Sequence, residues 1–158
     1  MVCACQLGIY SLAFANPGEG AQIQKNVATP TGPVKPSLAF HYAYQDYLKG
    51  HYDLALSAFQ KFIEDFPESS LAPKAYYYQA ECYEEQGNLK EATQALIILR
   101  DKYKTSRQIP AALFKLGKIM EKIDQPQKAR AYWSILLKNH RGSPEAKLAA
   151  RRLDRMSN

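Results

Sequence analysis

The sequence predicts an all-α protein: three helical hairpins stacked in order and closed by a C-terminal capping helix. Three observations carry that expectation. The first is a 37-residue period. Prolines recur at Pro36, Pro73 and Pro110, large apolar residues at Phe59, Leu96 and Trp133, and serines at Ser69, Ser106 and Ser143. A period of roughly 20–50 residues marks an array whose units bury their apolar faces only against neighbours. The second is a pair of small-residue columns in the same register, Ala43/Ala80/Gly117 and Ala55/Ala92/Ala129. The third is a final stretch with an apolar stripe at helical spacing that leaves the repeat.

Each unit divides into two helices. Proline in the first turn lacks an N–H where none is needed, and its φ is preset for helix. The first helices therefore open near Pro36, Pro73 and Pro110. They run to Gly50, Gly87 and Asp124, the place where a residue with positive φ ends a helix. The second helices start near Tyr52, Leu89 and Pro126 and end at Phe66-Pro67, near Tyr103 and near His140. The small columns face each other across each hairpin, so the paired helices approach toward the short end of the usual ~8–10 Å. Phe59, Leu96 and Trp133 then fill the space between hairpins. The last helix, Pro144 to Met156, carries Ala146, Ala149, Ala150, Leu153 and Met156 on one stripe and Lys147, Arg151, Arg152 and Arg155 off it. It covers the open end of the stack and leaves a wet outer face. A stripe made mostly of alanine is a poor membrane anchor.

Residues 1–15 carry no charge and end in Ala13-Phe14-Ala15. That run is too short to span a bilayer but suits a signal peptide cleaved after Ala15, although no basic residue precedes it. A lipoprotein version would acylate Cys5 in Val2-Cys3-Ala4-Cys5, a box close to the start with an unusual cysteine at its second place. Residues 16–36 hold four prolines and no apolar periodicity, and read as a flexible linker. The folded domain is expected over 37–156. Cleavage would leave Cys82 alone, so the fold must stand without a disulfide, with Cys82 as a small buried apolar residue.

The small residues at the eighth and twentieth places of each unit resemble the tetratricopeptide repeat (TPR), which implies a right-handed superhelix. The stretches AYQDYLKGHYDLALSAFQKFIEDFPESSLAPKAYYYQAECYEEQGNLKEA and IPAALFKLGKIMEKIDQPQKARAYWSILLKNHRGSPEAKLAARRL resemble the C-terminal domain of the periplasmic Tol-Pal system protein, YbgF or cell division coordinator CpoB. That resemblance implies a non-enzymatic periplasmic adaptor that binds a TolA-like partner and links cell-envelope constriction to peptidoglycan synthesis during division. The family's trimerising coiled coil has no heptads to match it in residues 16–36, which leaves oligomerisation open. The TPR lipoprotein of the barrel-assembly complex, an outer-membrane protein assembly factor, is the alternative.

In the family, five places on the first helix of each unit point into a concave groove. Carried onto this chain they give Phe40, Tyr44 and Tyr47, then Lys74, Tyr77, Glu81, Glu84 and Glu85, then Phe114, Lys118, Glu121 and Lys122. A row Phe40–Tyr77–Phe114 would run along the groove. Aromatic side chains give large contact area with few rotors to freeze, which suits a peptide groove. Tyr78 is a weaker candidate, and Tyr76 and Tyr83 fall at packing places.

The net charge of +6 is uneven. Residues 37–70 sum to −3, residues 71–107 to +1 and residues 108–158 to +7. The basic end invites an acidic partner segment. Nucleic acid is not expected, because the basic residues are not interleaved with exposed aromatics. No H-E-x-x-H, C-x-x-C, G-x-G-x-x-G, phosphate loop or G-x-S-x-G is present, so neither catalysis, cofactor nor metal is expected. No direct membrane insertion is expected.

Overall fold

The structure, a computed structural model, describes residues 35–157. The expected signal segment, Cys5 and all but the last two residues of the expected linker lie outside those residues. Among the described residues there are seven helices and no strand. They are α1 (Pro36–Leu48), α2 (Tyr52–Asp65), α3 (Ala72–Glu85), α4 (Leu89–Lys102), α5 (Ile109–Lys122), α6 (Pro126–Asn139) and α7 (Pro144–Arg155). α1/α2, α3/α4 and α5/α6 form the hairpins. α3 packs on α2, α5 on α4 and α7 on α6. The fold class is the one the sequence predicts.

The turns explain the repeated residues. Gly50 and Gly87 sit at φ 76° and 78°, and Asp124 takes the same place at φ 56°. In each hairpin the N–H of the next residue reaches back to close the helix: His51 to the Asp46 carbonyl at 2.9 Å, Asn88 to Tyr83 at 2.8 Å, Gln125 to Met120 at 2.8 Å. This six-to-one closure satisfies carbonyls that a helix end otherwise leaves bare. The recurring serine works at the other turn. Ser69 Oγ accepts from the Leu71 N–H at 3.2 Å, Ser106 from Gln108 at 3.2 Å and Ser143 from Ala146 at 3.1 Å. Ser143 caps α7 in this way, whereas Ser69 and Ser106 bond the N–H two residues on and fix the turns just before α3 and α5.

The small columns are fully buried, as are Phe59, Leu96 and Trp133. Trp133 is the largest of the three and faces the glycine, not an alanine. A Cβ on Gly117 would stand 2.1 Å from the indole nitrogen, whose N–H donates to the Phe114 carbonyl at 3.2 Å. The larger side chain on one helix is thus matched by a smaller one on its partner. Cys82 is buried and its thiol is pushed up to about 12, first by burial and then by the Glu81 charge.

The last helix caps the stack as expected, and it keeps part of the register. The Ser143 N–H donates to the His140 carbonyl at 2.9 Å as the Ser106 N–H does to that of Tyr103, and the buried Ala146 and Ala149 stand 37 residues after the buried Ile109 and Ala112. α7 packs on α6 and α5 in the place of a first helix. Its outer face stays wet because Lys147, Arg151 and Arg155 are exposed.

Candidate functional site

The first helices α1, α3, α5 and α7 share one side of the stack, and the predicted groove residues lie on it in two groups. The first group is an aromatic cluster between α1 and α3. Tyr44 and Tyr47 stack at 6.0 Å between ring centroids, and Tyr78 lies 4.8 Å and 5.0 Å from them. The Lys74 ammonium lies 5.5 Å from the Phe40 ring and 5.9 Å from those of Tyr44 and Tyr78. A cation over a ring face is held by the ring's quadrupole.

Phe40 is a correction. It is only 7% exposed, with Phe59 at 5.6 Å and Phe62 at 5.7 Å. α1 turns this ring inward, into the core it shares with α2 and α3. The row Phe40–Tyr77–Phe114 is therefore two half-buried rings and one core ring.

The second group surrounds a cleft of about 350 Å³. Tyr77, Glu81, Glu84 and Glu85 line it from α3, Ala111, Phe114, Lys115 and Lys118 from α5, and Glu145 from α7. α1 lies against α3 and α5 against α7, whereas α3 and α5 approach each other less. That wider spacing opens the cleft, and long charged side chains bridge it. Lys115, 8% exposed, reaches across to Glu81 and, at 2.6 Å, to Glu84. Glu81 also accepts from the Tyr47 hydroxyl at 3.0 Å.

Burial alone would raise the Glu81 carboxyl. The hydrogen bond and charge of Lys115 outweigh it, with the Tyr47 hydroxyl helping, and hold Glu81 below the usual carboxylate range. Burial alone would lower Lys115, but the two carboxylates hold it above the usual lysine value. Both groups are therefore charged at neutral pH. Burial first, then the Glu81 charge, raises the Tyr47 and Tyr77 hydroxyls, so both stay protonated donors.

Glu121 and Lys122 lie beyond this cleft, near the end of α5. Glu121 pairs with Arg152 of α7, and Lys122 is exposed. Lys118 lines the cleft. Arg130, part of the basic end, donates to the Met156 carbonyl and so helps hold the capping helix. A larger recess of about 890 Å³ lies along the turns before α3 and α5, and Lys74 is the one predicted residue in it.

Sequence reasoning missed Lys115 and Glu145 and placed Tyr78 among the weaker candidates. The signal was present in the register. Tyr78, Lys115 and Arg152 are 37 residues apart, at the sixth place of their units. Each reaches back to the preceding first-helix: Tyr78 to Phe40, Tyr44 and Tyr47, Lys115 to Tyr77, Glu81 and Glu84, Arg152 to Glu121. The sixth place thus stitches one unit to the next on the groove side.

Among the described residues no group of three or more His, Cys, Asp or Glu could hold a metal ion. No helix among them is long and apolar enough to cross a membrane.

Comparison with known proteins fits this geometry. Residues 47–100 and residues 111–143 each match a family model described as tetratricopeptide repeat. The crystal structure of MamA is similar in fold, with a TM-score of 0.56 at 15% identity over 76% of this chain and 69% of that one. At that identity the likeness carries the fold alone. No curated protein matches the sequence. Two matched stretches, a shared 37-residue register and capped hairpins make this a chain built from tetratricopeptide repeats.

Proposed function

We propose that the chain is a non-enzymatic protein-interaction adaptor that binds an extended or helical segment of a partner along α1, α3, α5 and α7. The observation that carries this reading is the wet, polar-rimmed cleft between α3 and α5. Half-buried Tyr77 and Phe114 line it beside a saturated Lys115–Glu81–Glu84 network. Such a surface joins rigid apolar area to fixed charges, which suits recognition. The resemblance of residues 38–154 to the Tol-Pal system protein supports a finer reading. In it the adaptor is periplasmic, its partner is TolA-like, and the complex links envelope constriction to peptidoglycan synthesis. The uncharged residues 1–15 and their Ala13-Phe14-Ala15 ending support export.

The test is capture of the TolA domains by the purified chain, together with fractionation and mass determination of the mature protein. The expected result is saturable binding at micromolar concentration, a periplasmic location and a mass that begins at Asn16. A cytoplasmic, uncleaved protein that ignores TolA at that concentration would refute the finer reading.

A further inference from the structure

We propose that the cleft between α3, α5 and α7 is a pocket for a basic side chain, so that the bound segment presents an arginine or lysine there. This rests on the adaptor reading and adds the chemistry of the partner. The charge of the cleft points the way. Glu81, Glu84, Glu85 and Glu145 face Lys115 and Lys118, which leaves two negative charges in excess. Lys115 is already buried between Glu81 and Glu84, so an incoming carboxylate would have to break that network. Glu85 and Glu145 make no ion pair among the described residues.

The walls suit a cation as well. The Tyr77 ring already holds one, the Lys115 ammonium 5.8 Å from its centroid, and Phe114 stands opposite on α5. A guanidinium is planar, stacks on such rings and pairs with carboxylates through two parallel hydrogen bonds. The local sign is opposite to that of the chain's basic end. Part of that end is spent inside the fold, Arg152 on Glu121 and Arg130 on the Met156 carbonyl. The expectation of an acidic partner, drawn from summed charge, therefore does not describe the cleft.

A random dodecapeptide library displayed on phage, panned on the full chain and counter-selected on Glu85→Lys, tests this. Glu85 is exposed, so that variant keeps its helix content. Binders should share an arginine or lysine. Replacing it by glutamine in the free peptide, or using Glu85→Lys, should weaken binding about tenfold, the size of one charge-assisted contact. Amide chemical shifts locate the peptide. Binders that shift Tyr77 and Phe114 without a shared basic residue would overturn the pocket and leave the adaptor groove standing. Binders that shift only other surfaces, or a library with no binder, would overturn both.

Discussion

Gly117→Ala is the sharpest perturbation of this array, because it adds the residue that the other two units already carry. Ala43 and Ala80 tolerate a Cβ at this place, whereas in the third unit it would meet Trp133 at 2.1 Å, 2.4 Å and 2.6 Å. The ring must move by more than an ångström in a core where Trp133 is fully buried. Overpacking of this kind costs about 1–3 kcal/mol. The moved indole also forfeits its 3.2 Å bond to the Phe114 carbonyl, and a stranded N–H costs about 1–3 kcal/mol more. Against this, alanine is favoured over glycine in a helix interior by about 1 kcal/mol. The expected net loss is about 1–5 kcal/mol. Trp133→Leu alone should cost a similar amount through the cavity it leaves. The double variant recreates the Ala80/Leu96 pair of the second unit, so it should be less destabilised than the sum of the singles by about 2–3 kcal/mol. Urea unfolding followed by circular dichroism measures all four proteins, since Trp133 is the only tryptophan and its fluorescence cannot report on its own replacement. Additive losses, or a Gly117→Ala protein within about 0.5 kcal/mol of the parent, would refute the packing argument.

Three further outcomes are expected. Ala92→Leu places three extra carbons between α3 and α4, where Ala80 and Ala92 are both fully buried, and should lower stability by about 1–3 kcal/mol in the same assay. Asp124→Gly relieves a non-glycine residue at φ 56° and should raise stability by about 0.5–1 kcal/mol, read as a higher urea midpoint. Lys115→Met leaves Glu81 and Glu84 facing each other without a counter-charge, and should cost about 2–3 kcal/mol at neutral pH. The sign of its pH dependence follows from the parent. Glu81 is lowered on folding, so its contribution is present above the ordinary carboxylate value and lost as pH falls through the folded one. Lys115 is raised, so its contribution is present below the ordinary lysine value and lost as pH climbs through the folded one. The parent should hold a plateau between about pH 5 and pH 10. The deficit of Lys115→Met should begin to shrink as pH falls toward the ordinary carboxylate range, because burial and mutual repulsion favour protonation of its facing carboxylates. A deficit that stays constant down to acid pH would count against the network.

How much of this was legible in the sequence depends on how each place does its work. The turns were legible because backbone geometry admits few residues. Only a residue tolerant of positive φ closes α1, α3 and α5, so Gly50, Gly87 and Asp124 align by type as well as by spacing. The hairpin contacts were legible for a similar reason, since close helix approach selects small side chains and volume is written in residue identity. Phe40 was misplaced because the repeat pattern describes a unit with neighbours on both sides. Among the described residues no hairpin precedes α1, and the ring that lines the groove elsewhere sits in the first core against Phe59 and Phe62.

The sixth place was illegible for the opposite reason. Its task is to reach across to the preceding first-helix, and three chemistries do it: an aromatic ring at Tyr78, an ammonium at Lys115 and a guanidinium at Arg152. A column of tyrosine, lysine and arginine shows no common type, so a search by residue class passes over it. What the three share is length, and each is matched to its target: Tyr78 to tyrosines, Lys115 to two glutamates under an aromatic roof, Arg152 to Glu121. Within this chain the place is therefore matched to the residues it meets on the preceding unit, the ninth and twelfth places for Tyr78 and Lys115 and the twelfth for Arg152, and not to its own counterparts. Between α3 and α5 the span is wide and a charged bridge replaces packed rings, because a lysine can cross a gap that an aromatic pair would have to close. The same spacing that required Lys115 leaves the cleft open beside it. On this argument Lys115→Tyr should fail to restore the stability lost in Lys115→Met, even though tyrosine serves at the equivalent place one unit earlier. Its ring would meet Glu81 and Glu84 where Tyr78 meets Tyr44 and Tyr47. Recovery to the parent's urea midpoint would show that reach alone, without charge, is enough.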